Sequence, residues 1–184
     1  ICLNKIDLAK PEEVEKIGSI YTKVGYTVIK TNAKQKENIE QIKEILNGNI
    51  TAFAGNSGVG KSTLINSIFN NDITEEGEIS SKNKRGKNTT TSVTLYEIEK
   101  DTYIADTPGF STFSIEEIES VDLGQYFNEF VPYISECEFV GCNHIKEEKC
   151  GVKEAITNGN ISQERYENYC KIYEELKKGE ERKW

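Results

Sequence analysis

The sequence has no methionine, a single histidine and three prolines, and it contains no long apolar run. A membrane-spanning helix needs about 20 consecutive apolar residues, so none is predicted. The shortage of proline excludes a collagen-like or proline-rich chain. Any Ser-His-Asp or Cys-His mechanism would have to use His144, which lies among three cysteines. Because position 1 is isoleucine and methionine is absent, we expect these residues to be part of a longer chain.

The composition is typical of a globular protein, with 36% hydrophobic and 29% charged residues. The first twenty residues lack the basic start, apolar middle and small-residue cleavage site of a secretion signal, so we expect a cytoplasmic protein without membrane contact. The formal net charge of −8 disfavours polyanion binding, so nucleic-acid binding would need a local basic patch. The segment at 82–87 is such a patch, within a polar stretch that predicts a long loop.

Short apolar runs alternate with segments of helical periodicity in the first part of the chain. Strands are predicted at 1–3, 26–30, 50–54, 93–98 and 102–105, and helices at 11–24, 39–46 and 61–69. This alternation predicts an α/β fold with a parallel sheet and helices on both of its faces. Beyond Pro132 the pattern is short and irregular, and Ser162 is predicted to cap a final helix.

A glycine-rich segment between the third predicted strand and the helix after it matches the P-loop pattern G-x-x-x-x-G-K-[ST]. Its glycines let successive backbone N–H groups point at phosphate oxygens, with a helix N-terminus behind them. Lys61 would reach the β- and γ-phosphates, and the Ser62 hydroxyl would bind Mg²⁺. A chance match in a glycine-rich turn is the alternative interpretation. The predicted nucleotide-binding residues of this segment are Gly55, Asn56, Ser57, Gly58, Val59, Gly60, Lys61, Ser62 and Thr63.

Near the start of the chain, the tetrapeptide at 4–7 matches the base-recognition pattern N-K-x-D. The Asp7 carboxylate can accept hydrogen bonds from guanine N1–H and N2–H₂ together, whereas adenine would leave it buried and unpaired. The motif therefore predicts GTP rather than ATP, although a solvated turn uses the same residue types. The segment at 32–34 is predicted to place a backbone N–H on guanine O6, or it is simply the entry to a helix. The predicted base-binding residues are Asn4, Lys5, Asp7, Asn32 and Ala33.

Two further segments predict a site for Mg²⁺ and the γ-phosphate. The sequence at 106–109 matches D-x-x-G, in which Asp106 would hold Mg²⁺ through water and the Gly109 N–H would sense the γ-phosphate. A plain type I turn with proline at its second position is the alternative. The threonine run at 89–91 can supply a second hydroxyl to Mg²⁺, and we choose Thr90 among the three. A β-rich threonine run without a ligand is the competing interpretation.

Three cysteines and the only histidine form a cluster within fourteen residues: Cys137, Cys142, His144 and Cys150. Three thiolates and one imidazole can surround Zn²⁺ as a closed tetrahedron, which is the pattern of a structural site. The surrounding segment is too short and polar to fold by apolar burial alone, so metal binding would supply its folding free energy. Disulfides are the alternative, and a reducing cytosol disfavours them. Cys2 and Cys170 lie on apolar faces and are expected in cores.

The base motif precedes the P-loop in this chain, whereas an ordinary GTPase places N-K-x-D after D-x-x-G. With this order the chain resembles the circularly permuted GTPases, and with the cysteine cluster it resembles the bacterial ribosome small-subunit-dependent GTPase A family. The resemblance covers practically the whole sequence. It rests on the segments NKID, GNSGVGKST, KNTTT, DTPGF, CEFVGCNH, CGVKEAI and RYENY.

The resemblance implies an enzyme that hydrolyses GTP to GDP and phosphate and acts late in the maturation of the small ribosomal subunit, in contact with its rRNA. The motifs themselves predict structural Zn²⁺, Mg²⁺ bound with GTP, and Lys61, Thr90 and Gly109 as catalytic residues, while the resemblance implies stimulation of hydrolysis by the subunit. It also implies an RNA-binding OB-fold before the GTPase domain. We expect the protein to be a monomer.

The predicted architecture is a circularly permuted P-loop GTPase domain at 1–113, followed by a small, mainly helical zinc-binding domain at 114–184. In the sheet of such GTPases, the strand before the N-K-x-D strand lies between it and the P-loop strand. The sequence offers no residues for that strand before Ile1. We therefore expect upstream residues, an empty central slot in the sheet, and an isolated chain that is unstable or prone to aggregate.

Two residues depart from known GTPase patterns. Phe110 follows D-x-x-G where Ras-like enzymes place a water-orienting glutamine, so slow hydrolysis without a partner is expected. Asn88 stands where family members often carry a histidine, and its amide cannot take a proton from water at neutral pH. These departures favour an alternative, a GTP-gated ribosome- or RNA-binding module in which hydrolysis is incidental. A P-loop ATPase with an accidental tetrapeptide at 4–7 is the third hypothesis.

Overall fold

The computed structural model describes residues 1–69, 94–106 and 118–182. The chain divides into two compact units, Ile1–Phe113 and Ser114–Trp184. Within the described ranges, no helix has both the length and the apolar character that crossing a membrane requires.

The first unit is a mixture of strands and helices in its described part. Its strands are β1 (Cys2–Asn4), β2 (Ile29–Thr31), β3 (Ile50–Ala52), β4 (Thr94–Glu99) and β5 (Thr102–Asp106). Its helices are α1 (Pro11–Lys23), α2 (Ile39–Leu46) and α3 (Lys61–Phe69), with 3₁₀ helices at Ile6–Leu8 and Ala33–Gln35. The second unit is mainly helical, with a 3₁₀ helix at Ser120–Tyr126 followed by α4 (Val131–Ile134), α5 (Gly151–Thr157) and α6 (Gln163–Glu181).

Helix α1 begins and ends where its sequence signals predict, but the strand after it starts later than expected. Pro11 occupies the first turn, and Gly25 adopts a φ of 100° just beyond the last turn. The Gly25 N–H donates to the Thr22 carbonyl at 3.0 Å, and the Tyr26 N–H donates to the Tyr21 carbonyl at 3.1 Å. Tyr26 is therefore part of a Schellman closure of the helix and cannot belong to β2, which begins at Ile29.

The strands form two separate sheets among the described residues. Strand β1 pairs with β2 in parallel, whereas β5 pairs with β3 in parallel and with β4 in antiparallel orientation. No described strand pairs with both β1 and β3, so no backbone ladder joins the two sheets among the described residues. This break lies between the base-motif strand and the P-loop strand, where the sequence predicts an empty slot.

One apolar core nevertheless joins the two sheets of the first unit. Helices α2 and α3 contribute most of its residues, β2 contributes Ile29, and β5 contributes the fully buried Ile104. The members of the core are Ile29, Ala33, Ile39, Ile42, Leu46, Leu64, Ile65, Ile68 and Ile104. Helix α3, which follows the P-loop, thus packs against α2 and the 3₁₀ helix Ala33–Gln35.

The second unit has its own core, in which aromatic rings pack closely. The ring centroid of Phe130 lies 5.1 Å from that of Phe127 and 4.8 Å from that of Tyr169, within the range of favourable aromatic pairs. The core consists of Leu123, Phe127, Phe130, Cys150, Val152, Ala155, Ile161, Tyr169 and Leu176. Helix α6 contributes Tyr169 and Leu176, its buried residues, to this core.

The ends of α6 are fixed differently from the sequence prediction. Ser162 occupies the position before the first turn, but its side chain makes no capping hydrogen bond. At the other end, the two Glu180 carboxylate oxygens accept from the Ser120 N–H at 2.6 Å and from the Ser120 hydroxyl at 2.9 Å. These bonds fasten the last turns of α6 to the start of the 3₁₀ helix and lower the pKa of the Glu180 carboxyl.

A buried ion pair gives a test of the packing of the second unit. Arg165 Nε donates to Glu129 Oε1 at 2.5 Å, and the two side chains are only 14% and 7% exposed. Substitution Arg165→Met would leave the Glu129 carboxylate buried without its partner and should cost about 3–5 kcal/mol of unfolding free energy, as measured by urea denaturation with zinc present.

The matched control is Lys149→Met, because Lys149 pairs with Glu138 at the surface and is 75% exposed. Its loss should change the unfolding free energy by less than about 1 kcal/mol. Equal effects of the two substitutions would contradict a structural role for the buried pair.

Candidate nucleotide site and metal centre

The P-loop occupies the turn between β3 and α3. Gly58 and Gly60 have φ angles of 81° and 94°, a region that residues with a side chain rarely adopt. Gly60 meets a second constraint, because a Cβ there would lie 2.5 Å from Asn4 Nδ2. The Leu64 N–H donates to the Gly60 carbonyl at 2.9 Å, so α3 begins directly from the loop. The loop therefore presents a helix N-terminus, which is a common site for phosphate binding.

Lys61 places its positive charge within the curl of this loop. Its Nζ donates to the carbonyl of Gly55 at 2.6 Å and to that of Asn56 at 3.0 Å. Ser62 and Thr63 follow in the first turn of α3. The ammonium group and the helix N-terminus together attract anionic groups such as phosphates.

The base motif contacts the P-loop directly, although the two motifs are more than fifty residues apart in the chain. Asn4 Nδ2 donates to the Val59 carbonyl at 3.1 Å, and Lys5 Nζ donates to the Gly58 carbonyl at 2.6 Å. Asp7 follows in the 3₁₀ helix Ile6–Leu8 and is exposed. The two motifs predicted to share one nucleotide are therefore neighbours in the structure.

The Asn4 side chain also holds the loop that follows β2. Its Oδ1 accepts from the Ala33 N–H at 3.1 Å and lies 3.3 Å from Thr31 Oγ1. One amide group thus joins the base motif, the P-loop and the loop after β2. A backbone N–H at 32–34 is predicted to contact guanine O6. The N–H of Ala33 already donates to Asn4, so a base contact by that group would require Asn4 to share or release it.

Asn32 stabilises the same loop from inside. Its side chain is buried, and its Oδ1 accepts from the Gln35 N–H at 3.2 Å, which caps the 3₁₀ helix Ala33–Gln35. Its Nδ2 is buried without a hydrogen-bond partner in the described part of the chain. The Asn32 side chain therefore shapes the loop in which the sequence predicts a base contact.

Two residues that help to position this site, Ser67 and Thr31, belong to none of the sequence motifs. Ser67 is a buried hydroxyl on α3, and its Oγ lies 2.6 Å from the Ala33 carbonyl oxygen and 2.7 Å from that of Thr63. Thr31 Oγ1 lies 3.2 Å from the sulfur of Cys2. The prediction that Cys2 is a core residue is wrong, because it is exposed. A serine that interrupts the apolar run of α3 is a sequence signal that could have identified Ser67.

The predicted magnesium residues are only partly described. Thr90 and Gly109 lie outside the described residues, and Asp106 is described only as the last backbone position of β5. Ala105, which precedes it, is the register partner of Ala52 in the parallel strand that leads into the P-loop. The backbone of Asp106 is therefore at the same edge of the sheet as the P-loop, as a D-x-x-G motif requires.

The structure brings the four predicted zinc ligands together in the second unit. The ligand atoms of Cys137, Cys142, His144 and Cys150 all lie within 4.8 Å of one another. His144 Nδ1 lies 3.3 Å from Cys150 Sγ and 3.6 Å from Cys137 Sγ, and these two sulfurs are 3.9 Å apart.

These distances fit a zinc ion. A tetrahedron with zinc–sulfur bonds of about 2.3 Å and a zinc–nitrogen bond of about 2.0 Å has edges of about 3.8 Å between sulfurs and about 3.5 Å between sulfur and nitrogen. All five cysteines are free, so the disulfide alternative is wrong. Cys170, expected in a core, is half-buried and packs against the core of the second unit.

Burial sets the protonation of these ligands before a metal binds. It raises the pKa of the Cys142 thiol to about 12 and also raises the pKa of the Cys150 thiol. Burial lowers the pKa of His144, so its imidazole is neutral at pH 7. The site therefore holds protonated thiols that must lose their protons to bind zinc.

Glu147 organises the loop between His144 and Cys150 and was not predicted from the sequence. Its Oε1 accepts from the Asn143 N–H at 3.0 Å, and its Oε2 accepts from the N–H groups of Ile145 and Lys146, each at 3.0 Å. Partial burial raises the pKa of its carboxyl, but these backbone hydrogen bonds outweigh that effect and the net shift is downward. An ionised Glu147 thus replaces regular secondary structure as the partner of the loop's N–H groups.

A P-loop with a base motif placed before it in the chain, bound to it by side-chain hydrogen bonds, defines a permuted nucleotide-binding domain of the GTPase class. Comparison with known proteins agrees with this assignment. The model of the RsgA GTPase family matches residues 1–116. The chain therefore belongs to the RsgA GTPase family, and the expected resemblance is confirmed.

Individual relatives extend the similarity over the second unit. The "Small ribosomal subunit biogenesis GTPase RsgA" of Agathobacter rectalis is 48% identical over 177 residues, which are 96% of this chain and 59% of that protein. The protein of the same name from Alkaliphilus metalliredigens is 44% identical over 178 residues, which are 97% of this chain and 61% of that protein. The chain thus spans about three fifths of the length of the curated relatives it matches.

Solved structures share the fold. The crystal structure of YjeQ from Thermotoga maritima matches with a TM-score of 0.75 and 40% identity, over 95% of this chain and 58% of that one. The structure of YloQ, described as a circularly permuted GTPase, matches with a TM-score of 0.72 and 29% identity, over 97% of this chain and 56% of that one. The predicted permuted α/β GTPase fold is therefore confirmed.

Zinc binding should release protons, because the thiols of Cys142 and Cys150 are protonated at pH 7 and bind as thiolates. We expect at least two protons to be released per zinc ion, and the zinc affinity to fall as the pH is lowered, since protons then compete with the metal. Isothermal titration calorimetry in buffers of different ionisation enthalpy measures this number.

The control for this experiment is Cys142→Ser, whose hydroxyl does not ionise. It should release about one proton fewer than the unsubstituted chain. Zinc binding without proton release would contradict ligation by the thiols.

Proposed function

We propose that this chain is the GTP-binding and GTP-hydrolysing part of a factor for late maturation of the small ribosomal subunit. The observation that carries the proposal is the Asn4 side chain, which hydrogen-bonds to both the Val59 carbonyl and the Ala33 N–H. It places the base motif beside the P-loop, as binding of one nucleotide by both motifs requires. The ribosomal role is supported by the name of the relatives, small ribosomal subunit biogenesis GTPase.

In this proposal the first unit is the GTPase domain at 1–113, and it binds both the base and the phosphates of GTP. The Asp7 carboxylate accepts from guanine N1–H and N2–H₂, and the P-loop N–H groups surround the phosphates. Lys61 contacts the β- and γ-phosphates. Ser62, Thr90 and Asp106 hold Mg²⁺, which when bound neutralises the charge on the phosphate oxygens.

The proposed catalytic residues are Lys61, Thr90 and Gly109, which would contact the γ-phosphate or its magnesium. Phe110 cannot orient the attacking water through a polar side chain, and Asn88 cannot act as its general base. We therefore propose slow intrinsic hydrolysis that the small ribosomal subunit accelerates. The same two residues favour the alternative of a GTP-gated binding module, in which hydrolysis is incidental.

The second unit is proposed as a zinc-binding domain at 114–184. We further propose that the protein acts in the cytoplasm as a monomer and contacts the rRNA of the small subunit. Support for rRNA contact comes from the basic segment at 82–87 and from the names of the relatives, and that segment lies outside the described residues.

Substitution Asp7→Asn should reverse base selectivity. The asparagine amide cannot accept two hydrogen bonds from guanine, so the GTP affinity should fall by about two orders of magnitude or more. Its amide N–H can instead donate to the O2 of xanthine, so XTP should bind better than GTP. Titration with fluorescent nucleotides measures these affinities.

The control is Asp101→Asn in the turn between β4 and β5, where the residue is exposed and has a φ of 61° that asparagine tolerates. It should leave GTP binding unchanged. Equal affinity of the unsubstituted chain for ATP and GTP, or GTP binding insensitive to Asp7→Asn, would refute the base assignment.

Turnover with and without small ribosomal subunits separates the enzyme from the binding module. We expect the subunits to raise the rate of phosphate release by orders of magnitude, because a partner can supply the water-positioning group that Phe110 lacks. A Lys61→Ala chain provides the background rate. A rate that does not respond to the subunits, with GTP-dependent binding to them retained, would establish the module instead.

A further inference from the structure

Two tyrosine hydroxyls of α6 contact the metal-ligand loop at consecutive carbonyls. Tyr169 OH donates to the Asn143 carbonyl at 2.7 Å, and Tyr166 OH donates to the His144 carbonyl at 2.7 Å. Tyr169 is 1% exposed and its ring packs in the core of the second unit. These two carbonyls flank the Cα atom of His144, so the two hydrogen bonds fix the peptide plane on each side of that residue.

His144 needs this support because its backbone lies in the left-handed region, with a φ of 59°. Residues with a side chain rarely adopt this conformation unless their surroundings impose it. The imidazole is 2% exposed and packs edge-on against Phe130, at a centroid distance of 5.8 Å. In this conformation Nδ1 faces the sulfurs of Cys137 and Cys150, so Nδ1 is the nitrogen that can bind the metal.

The opposite side of the imidazole is closed by the 3₁₀ helix Ser120–Tyr126. A Cβ on Gly124 would lie 3.1 Å from His144 Nε2 and 3.3 Å from its Cδ2. The ring therefore has little space to move away from the thiols. Gly124 sets the position of the ring, and the tyrosine hydroxyls set the backbone that carries it.

We propose that Tyr166 and Tyr169 are positioning residues for the zinc ion, acting through the backbone of His144. They hold the only nitrogen ligand in the conformation that aims it at the three thiols. Docking of α6 and binding of zinc are then thermodynamically linked, so each strengthens the other. This role does not depend on the nucleotide site.

The test is the zinc affinity of the whole chain with Tyr166→Phe, Tyr169→Phe and both together. Phenylalanine keeps the ring and its packing and removes only the donating hydroxyl. Each single substitution should weaken zinc binding about tenfold, and the pair up to about a hundredfold, as for other groups that orient metal ligands. Competition with a chromophoric chelator measures the affinity.

The matched control is Tyr173→Phe on the same helix. Its ring lies 6.2 Å from that of Tyr169, and its hydroxyl makes no hydrogen bond to the described residues. It should leave the zinc affinity unchanged. A second pair of variants tests the contact with the ring. Gly124→Ala should weaken zinc binding, because its Cβ would push against the imidazole. Gly179→Ala is the control, since a Cβ there would meet nothing within 4 Å.

Two further readouts distinguish positioning from simple packing. The absorption spectrum of Co²⁺ bound in place of zinc should change in the Tyr166 and Tyr169 variants, because the imidazole then binds in a different geometry. The increase in melting temperature caused by zinc should also be smaller in these variants than in Tyr173→Phe. Unchanged zinc affinity and Co²⁺ spectrum, or equal loss of stability with and without metal, would overturn the proposal.

Discussion

The candidate nucleotide site depends on the amide of Asn4. The sheet that contains β1 and the sheet that contains β3 share no backbone ladder in the described residues, so the apolar core and side-chain hydrogen bonds hold them together. The Asn4 amide fixes the remaining geometry by donating to the P-loop at Val59 and accepting from the loop at Ala33. Each hydrogen bond of this kind contributes about 1 kcal/mol, but a buried group left without its partner costs more. The network is therefore more sensitive to loss of the amide than the individual bonds suggest.

The candidate metal centre in the second unit is also shaped by side chains that bond to backbone groups. The loop between Cys137 and Cys150 contains little regular structure, so its backbone groups are paired by side chains instead. Glu147 accepts from the N–H groups of this loop, while the tyrosines of α6 donate to its carbonyls. In both units a functional loop is thus shaped by side chains that come from elsewhere in the unit, or from the loop itself, rather than by strand or helix hydrogen bonds.

The sequence predicts the parts of these sites in which chemistry fixes both residue type and spacing. The P-loop glycines, the base motif and the four zinc ligands belong to this group, as do α1, α2 and α3, whose apolar residues recur with helical periodicity. The assignment of Tyr26 to β2 was wrong because Tyr26 closes α1, and strand propensity says nothing about such closures. The roles of Ser67, Glu147 and Tyr169 were missed for a related reason. Their partners are backbone groups, which every residue carries, so no pair of residue types reveals the contact.

The contacts between Asn4, Lys5 and the P-loop restrict substitution at some of these positions more than at others. Asn4 and Lys5 reach main-chain oxygens at Val59 and Gly58, and an oxygen of that kind is present whatever side chain stands there. Val59 can therefore vary in type as long as the loop keeps its curvature. Asn4 has less freedom, because its short amide presents a donor nitrogen to Val59 and an acceptor oxygen to Ala33 at once. Serine and threonine offer a single oxygen for both roles, and glutamine is one methylene longer. Gly60 is equally restricted, since any added atom would occupy the place of the Asn4 amide. Substitutions within this motif pair should thus be tolerated at Val59 and selected against at Asn4 and Gly60.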